Sequence, residues 1–110
     1  MKVLIPGGAG YVGSVLAPHL AAAGHEVTVY DSMLFGNALP EGIKVIEGDV
    51  RDADAFRKAC EGQKAIIYLA SISSDAMCQK HEAQAQEVNV GSFERNVQAA
   101  NDAGVWQFVY

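Results

Sequence analysis

Three groups of residues in this chain have the types and spacing to hold a charged, polyhydroxylated ligand. The first is Gly7-Gly8-Ala9-Gly10-Tyr11-Val12-Gly13. Gly8, Gly10 and Gly13 fit G-x-G-x-x-G, and Gly7, Gly10 and Gly13 fit G-x-x-G-x-x-G. A turn of either kind needs glycine where the backbone takes angles barred to side chains, where a pyrophosphate approaches the chain, and where helix and strand pack closely. The amides of Tyr11 and Val12 then sit at a helix N-terminus, where free N–H groups and the helix dipole favour an anion. The motif directly follows an apolar strand and opens a helix, which is the context that gives it meaning. A tight turn without a ligand is the competing reading.

The second group is Asp31, 18 residues beyond Gly13 at the end of the next apolar run, with Ser32 after it. A carboxylate there accepts hydrogen bonds from ribose hydroxyls and repels a 2′-phosphate. No Arg or Lys stands between Asp31 and Lys44 to offset that repulsion, so NAD is expected over NADP. An aspartate that only closes a turn is the alternative. The third group is Gly48-Asp49-Val50 after a third apolar run. An Asp49 carboxylate can accept from an adenine amine, and the Val50 amide can donate to a ring nitrogen. Asp52 is better explained as a helix N-cap.

The elements that must position these groups follow from hydropathy patterning. Strands are expected at Lys2–Pro6, Glu26–Tyr30, Ile43–Glu47, Lys64–Ala70 and Val105–Tyr110. Val3-Leu4-Ile5 is continuously apolar, as in a parallel sheet covered on both faces. A first helix should bury Val12, Val15, Leu16 and Leu20 and end at Gly24, with a kink at Pro18. A short helix should start at Asp52 and close at Gly62. A long one should run from Gln79 or His81 to Ala103, burying Val90, Phe93, Val97 and Ala100. Residues 32–42 read as a loop. The order β-α-β-β-α-β-α-β implies a parallel sheet wound from βαβ units with strand order 3-2-1-4-5.

Composition sets the outer bounds. The 110 residues suit one domain, and half are apolar with 19% charged, which excludes intrinsic disorder. A net charge of −5 argues against nucleic acid or an anionic membrane as partner. No apolar run is long enough to span a bilayer, and the N-terminal run is too short for a secretory signal, so a cytoplasmic protein is expected. Cys60 and Cys78 lack metal-ligand spacing and read as reduced thiols. His81-Glu82 reads as a solvated helix start, and Ser73-Ser74-Asp75 as a turn or cap rather than a nucleophile.

Together these segments resemble the extended short-chain dehydrogenase/reductase family, and within it the NAD-dependent sugar-nucleotide epimerases and dehydratases. The resemblance covers the whole chain. It includes Gly7 to Ser14, Tyr30 to Gly36, Glu47 to Asp52, Tyr68 to Ser71, Asn89 to Asn96 and Ala103 to Tyr110. It implies a Rossmann-type doubly wound α/β fold with NAD as cofactor. It further implies that Leu69, Ala70 and Ser71 line the cofactor path and that Asn89 supports the loop after strand 4. Pro6, Tyr68 and the loop from Ser71 to Gln84 depart from the family pattern.

The family's chemistry uses a Tyr-x-x-x-Lys pair. Its tyrosine takes a proton from a sugar hydroxyl while hydride passes to the nicotinamide. Four residues after Tyr11, Tyr30 and Tyr68 stand Val15, Leu34 and Ile72, and Tyr110 is the last residue. The expectation is a partial NAD-binding domain over residues 1–110, truncated at strand 5. It would bind the ADP half of the cofactor without catalysing, and would meet a nucleotide sugar only as part of a complete enzyme. A stand-alone dinucleotide-binding or sensing module, or a fragment of an NAD(P)-dependent short-chain reductase, are the alternatives. An exposed fifth strand could also pair two copies into a homodimer.

Overall fold

The computed structural model describes residues 1–33, 39, 42–70 and 92–110. They form β1 (Lys2–Pro6), α1 (Tyr11–Ala22), β2 (Glu26–Asp31), β3 (Lys44–Glu47), α2 (Ala53–Cys60), β4 (Ala65–Ile67), α3 (Phe93–Asp102) and β5 (Gln107–Val109). The five strands make one sheet in the order β3-β2-β1-β4-β5, with every neighbouring pair parallel. This is the expected doubly wound order.

Alternation along β1 divides the core between the two faces of the sheet. Val3 and Ile5 pack with Val27, Val29 and Ala17, the α1 side. Leu4 packs with Tyr30, Phe56, Ile66, Tyr68 and Ala100, the α2 and α3 side. An aromatic chain stiffens the second face. Phe56 meets Tyr30 and Tyr68 edge to face, and Tyr68 in turn contacts Phe93 and stacks on Phe108.

Two helices, α1 and α3, depart in part from the sequence reading in their phase. α1 buries Gly13 and Ala17, whereas Val12 and Val15 are exposed. Small residues let the helix lie close against β1 and β2, and the larger valines turn outward. α1 runs unbroken through Pro18. In α3 the buried face is Asn96, Ala99 and Ala100, and Val97 is exposed. That helix begins at Phe93 after Ser92 rather than running on from Gln79 or His81. Ser92, a weak helix former, stands at its N-cap. The segment expected to carry the earlier part of that helix, including Val90, lies outside the described residues. β4 ends at Ile67 rather than Ala70, although the Leu69 amide still donates to the Pro6 carbonyl. β5 is likewise shorter than expected. Asp52 caps α2 as predicted, its side chain accepting from the Ala55 amide at 3.1 Å. Among the described residues, no helix is long and apolar enough to cross a membrane.

Candidate functional site

The carboxyl ends of the strands gather all three predicted groups on one edge of the sheet. Pro6 pairs in register with Tyr30, and Asp31 with Glu47. The Gly7 amide donates to the Tyr30 carbonyl and the Gly48 amide to the Asp31 carbonyl. The residues following β1, β2 and β3 are thereby held side by side.

The turn is packed too closely for a side chain at three of its four glycines. Gly7 has φ +81°, and a Cβ there would lie 2.5 Å from the Ala70 backbone nitrogen. Gly8 faces Val29, and a Cβ on Gly13 would come closer than 3.0 Å to the Gly8 backbone. Gly10 is different. Its φ is −77°, which any residue adopts, and a Cβ there would meet only the Gly7 carbonyl oxygen, at 3.4 Å. Among the described residues, packing therefore does not require glycine at position 10. A ligand lying against the backbone does. Gly10 is the N-cap of α1, no side chain caps the helix, and its first turn holds no acidic residue. The amides of Tyr11 and Val12 stand at that uncapped, dipole-positive end, with Tyr11 almost fully exposed. These features fit a pyrophosphate.

Asp31 stands beside this turn. One carboxylate oxygen accepts from the Ala9 amide at 3.0 Å and the other from the Met33 amide at 2.7 Å. Each oxygen keeps further accepting capacity for a ligand hydroxyl. Ser32 next to it is exposed. Leu69 and Ala70 flank Gly7 from the β4 side, both half-buried. Ser71 and Asn89, expected beside them, lie outside the described residues.

Asp49 and Val50 form a turn between β3 and α2. Arg51 clamps the Asp49 carboxylate, its Nε at 2.9 and 3.0 Å from the two oxygens and its Nη2 on Oδ2, while its amide donates to Oδ1 at 2.8 Å. These bonds hold the Asp49 carboxyl below the usual carboxylate range. The turn is also fastened from outside. Tyr30 Oη donates to the Asp49 carbonyl at 2.8 Å, Asn96 Nδ2 to the Val50 carbonyl at 2.8 Å, and Arg95 Nη2 to the Arg51 carbonyl at 3.0 Å. Gly48 allows this, since a Cβ there would strike the Tyr30 ring at 2.6 Å. Burial, followed by the charges of Asp52 and Asp49, pushes the Tyr30 hydroxyl up to about 12.

Sequence reasoning missed Tyr30, Arg51, Arg95 and Asn96. A tyrosine among the valines of β2 was the one available signal, because its buried hydroxyl needs a partner. Cys60 is a free, buried thiol that burial pushes up to about 11, which fits a structural cysteine. No group of His, Cys, Asp and Glu among the described residues could hold a metal ion.

Comparison with known proteins agrees with this geometry. The chain is 35% identical over 114 residues to UDP-glucose 4-epimerase of Streptomyces lividans, a match covering 99% of this chain and 35% of that protein. It superposes on the Thermus thermophilus UDP-glucose 4-epimerase in complex with NAD with a TM-score of 0.90 at 28% identity, over 100% of this chain and 37% of that one. It also superposes on the dTDP-glucose 4,6-dehydratase DesIV of Streptomyces venezuelae, crystallised with NAD and TYD, with a TM-score of 0.87 at 28% identity. That match covers 100% of this chain and 38% of DesIV. The chain thus spans about a third of the length of these relatives. The model of the NAD dependent epimerase/dehydratase family matches residues 3–110, and the chain belongs to that family.

Proposed function

We propose that this chain is the cofactor-binding part of an epimerase or dehydratase that acts on a nucleotide sugar, and that it binds NAD chiefly through its ADP half. The observation that carries this reading is Gly10, a glycine that packing among the described residues does not need, at the uncapped N-terminus of α1 and next to Ala9, whose amide donates to Asp31. The Gly7–Gly13 turn and the amides of Tyr11 and Val12 hold the pyrophosphate. Asp31, with Ser32 beside it, accepts the ribose hydroxyls. Asp49 and Val50 receive the adenine, and Leu69 and Ala70 wall the path onward. Bound NAD supplies reversible hydride acceptance, and the residues of this chain position it.

The same geometry favours NAD over NADP. A 2′-phosphate would meet the Asp31 carboxylate with no described cation beside it, since Arg51 is engaged by Asp49. Titration calorimetry with NAD, ADP-ribose and NADP tests the reading. ADP-ribose should bind nearly as tightly as NAD, and NADP more weakly. Equal affinity for NAD and NADP would remove the role given to Asp31, and the absence of ADP-ribose binding would remove the reading itself.

A further inference from the structure

Asn96 is an amide at a core position. It is fully buried on the inner face of α3, beside Ala99 and Ala100, where an apolar residue would complete the core. Its Oδ1 has no hydrogen-bond partner. A buried acceptor left unpaired is costly, so what favours an amide here is what its Nδ2 holds. Its Nδ2 is fully used, donating to the Val50 carbonyl at 2.8 Å and to Tyr68 Oη at 3.1 Å.

The Val50 carbonyl shares a rigid peptide plane with the Arg51 amide. In a trans peptide the two point in opposite directions, and the described chain contains no cis bond. Fixing the Val50 carbonyl toward Asn96 therefore aims the Arg51 N–H the other way, onto Asp49 Oδ1, where it is found at 2.8 Å. The preceding plane is fixed in the same manner. The Asp49 carbonyl accepts from Tyr30 Oη at 2.8 Å and from the Asp52 amide at 3.0 Å, so the Val50 N–H of that plane points away from the core. Two buried side chains, one from β2 and one from α3, thus act with the Asp52 amide and the Arg51 guanidinium to orient the two groups that a purine edge would meet: the Asp49 carboxylate and the Val50 N–H.

From this geometry we infer that Asn96 and Tyr30 are positioning residues for base recognition, which they perform through two successive peptide planes without touching the ligand. The inference rests on the proposed role of Asp49 and Val50 toward adenine. Their pairing is an acceptor beside a donor. It matches adenine, which offers an amine donor next to a ring acceptor. It opposes hypoxanthine, which offers a carbonyl acceptor next to a ring N–H. Asn96 and Tyr30 should accordingly control discrimination between the two bases more than overall affinity.

The test compares the full chain with its Asn96→Leu and Tyr30→Phe variants, titrated with NAD and with nicotinamide hypoxanthine dinucleotide. The unsubstituted chain should prefer NAD by about tenfold, as expected for a reversed pair of hydrogen bonds. Each variant should lower that preference by about threefold or more, chiefly through weaker NAD binding. General destabilisation does not mimic this result, because a smaller folded fraction weakens both ligands alike. Should Asn96→Leu fail to fold, Tyr30→Phe keeps the ring in place and carries the comparison. An unchanged ratio in both variants, with both ligands bound, overturns the inference while leaving the adenine reading intact. No preference in the unsubstituted chain overturns the adenine reading and the inference with it.

Discussion

The Asp31 carboxylate accepts the backbone amide of Ala9 at 3.0 Å, across 22 residues of sequence. The end of β2 is thereby tied to the middle of the glycine turn. The residue proposed to read the ribose also braces the loop proposed to hold the phosphates, so ligand recognition and local folding share one side chain. Asp31→Ala should therefore lose more than the ribose hydrogen bonds. NAD binding is expected to weaken by about 1–3 kcal/mol, with a parallel fall in thermal stability from the unpaired Ala9 and Met33 amides. Asp31→Asn, which can still accept through one oxygen, should retain more stability than affinity. Calorimetry and thermal melts of the two variants check this. Equal loss of both properties in Asp31→Asn would mean that the carboxylate only braces the turn.

Gly10 and Gly13 should separate by the reason each is glycine. Gly13→Ala drives a Cβ into the Gly8 backbone, which cannot yield as a side chain can. The expected cost is about 1–3 kcal/mol of stability. Gly10→Ala meets only the Gly7 carbonyl oxygen at 3.4 Å and keeps an allowed φ, so the fold should survive while dinucleotide affinity falls at least tenfold. Denaturant unfolding and calorimetry on both variants give the comparison. Full affinity in Gly10→Ala would show that nothing lies against that backbone.

The acid limb of the stability curve should carry the Asp49–Arg51 pair. Asp49 titrates below its usual 3.8 in the fold because Arg51 bonds its charged form. A depressed folded value means that the pair stabilises the protein above pH 3.8. The contribution is lost as pH falls from there through the lower folded value. Half-exposure of the pair keeps the effect small. Asp49→Asn should remove this part of the pH dependence, visible as a flatter melting temperature below pH 4. An unchanged acid limb would mean that the clamp exists without energetic consequence.

The strand order and the glycine turn were legible in the sequence because their causes are local. A continuous apolar run such as Val3-Leu4-Ile5 reads as a covered strand, and backbone geometry at Gly7 demands its residue type. The helix faces were less legible. Apolar spacing in α1 fits two phases, one through Val12 and Val15 and one through Gly13 and Ala17, and only close packing against the sheet selects the second. Asn96 and Tyr30 gave no motif. Their roles arise from partners 46 and 19 residues away, which a spacing pattern cannot encode.

At high pH the fold should fail through Tyr30. Its hydroxyl is pushed from 10.0 to about 12, first by burial and then by the charges of Asp52 and Asp49. A folded value above the unfolded one means that the neutral hydroxyl is the form the fold prefers. Its stabilisation is complete below pH 10 and is lost as pH rises from 10 toward 12. Ionisation would place a phenolate among Phe56 and Leu4 and remove one of the two donors to the Asp49 carbonyl. Tyr30→Phe deletes this titration. It should melt slightly lower than the unsubstituted chain at pH 7, having lost one hydrogen bond, and lose less stability between pH 10 and 12. Melting curves across that range decide the matter. Identical alkaline slopes for the two proteins would assign the transition to another group, with the buried Cys60 thiol, raised to about 11, next in line.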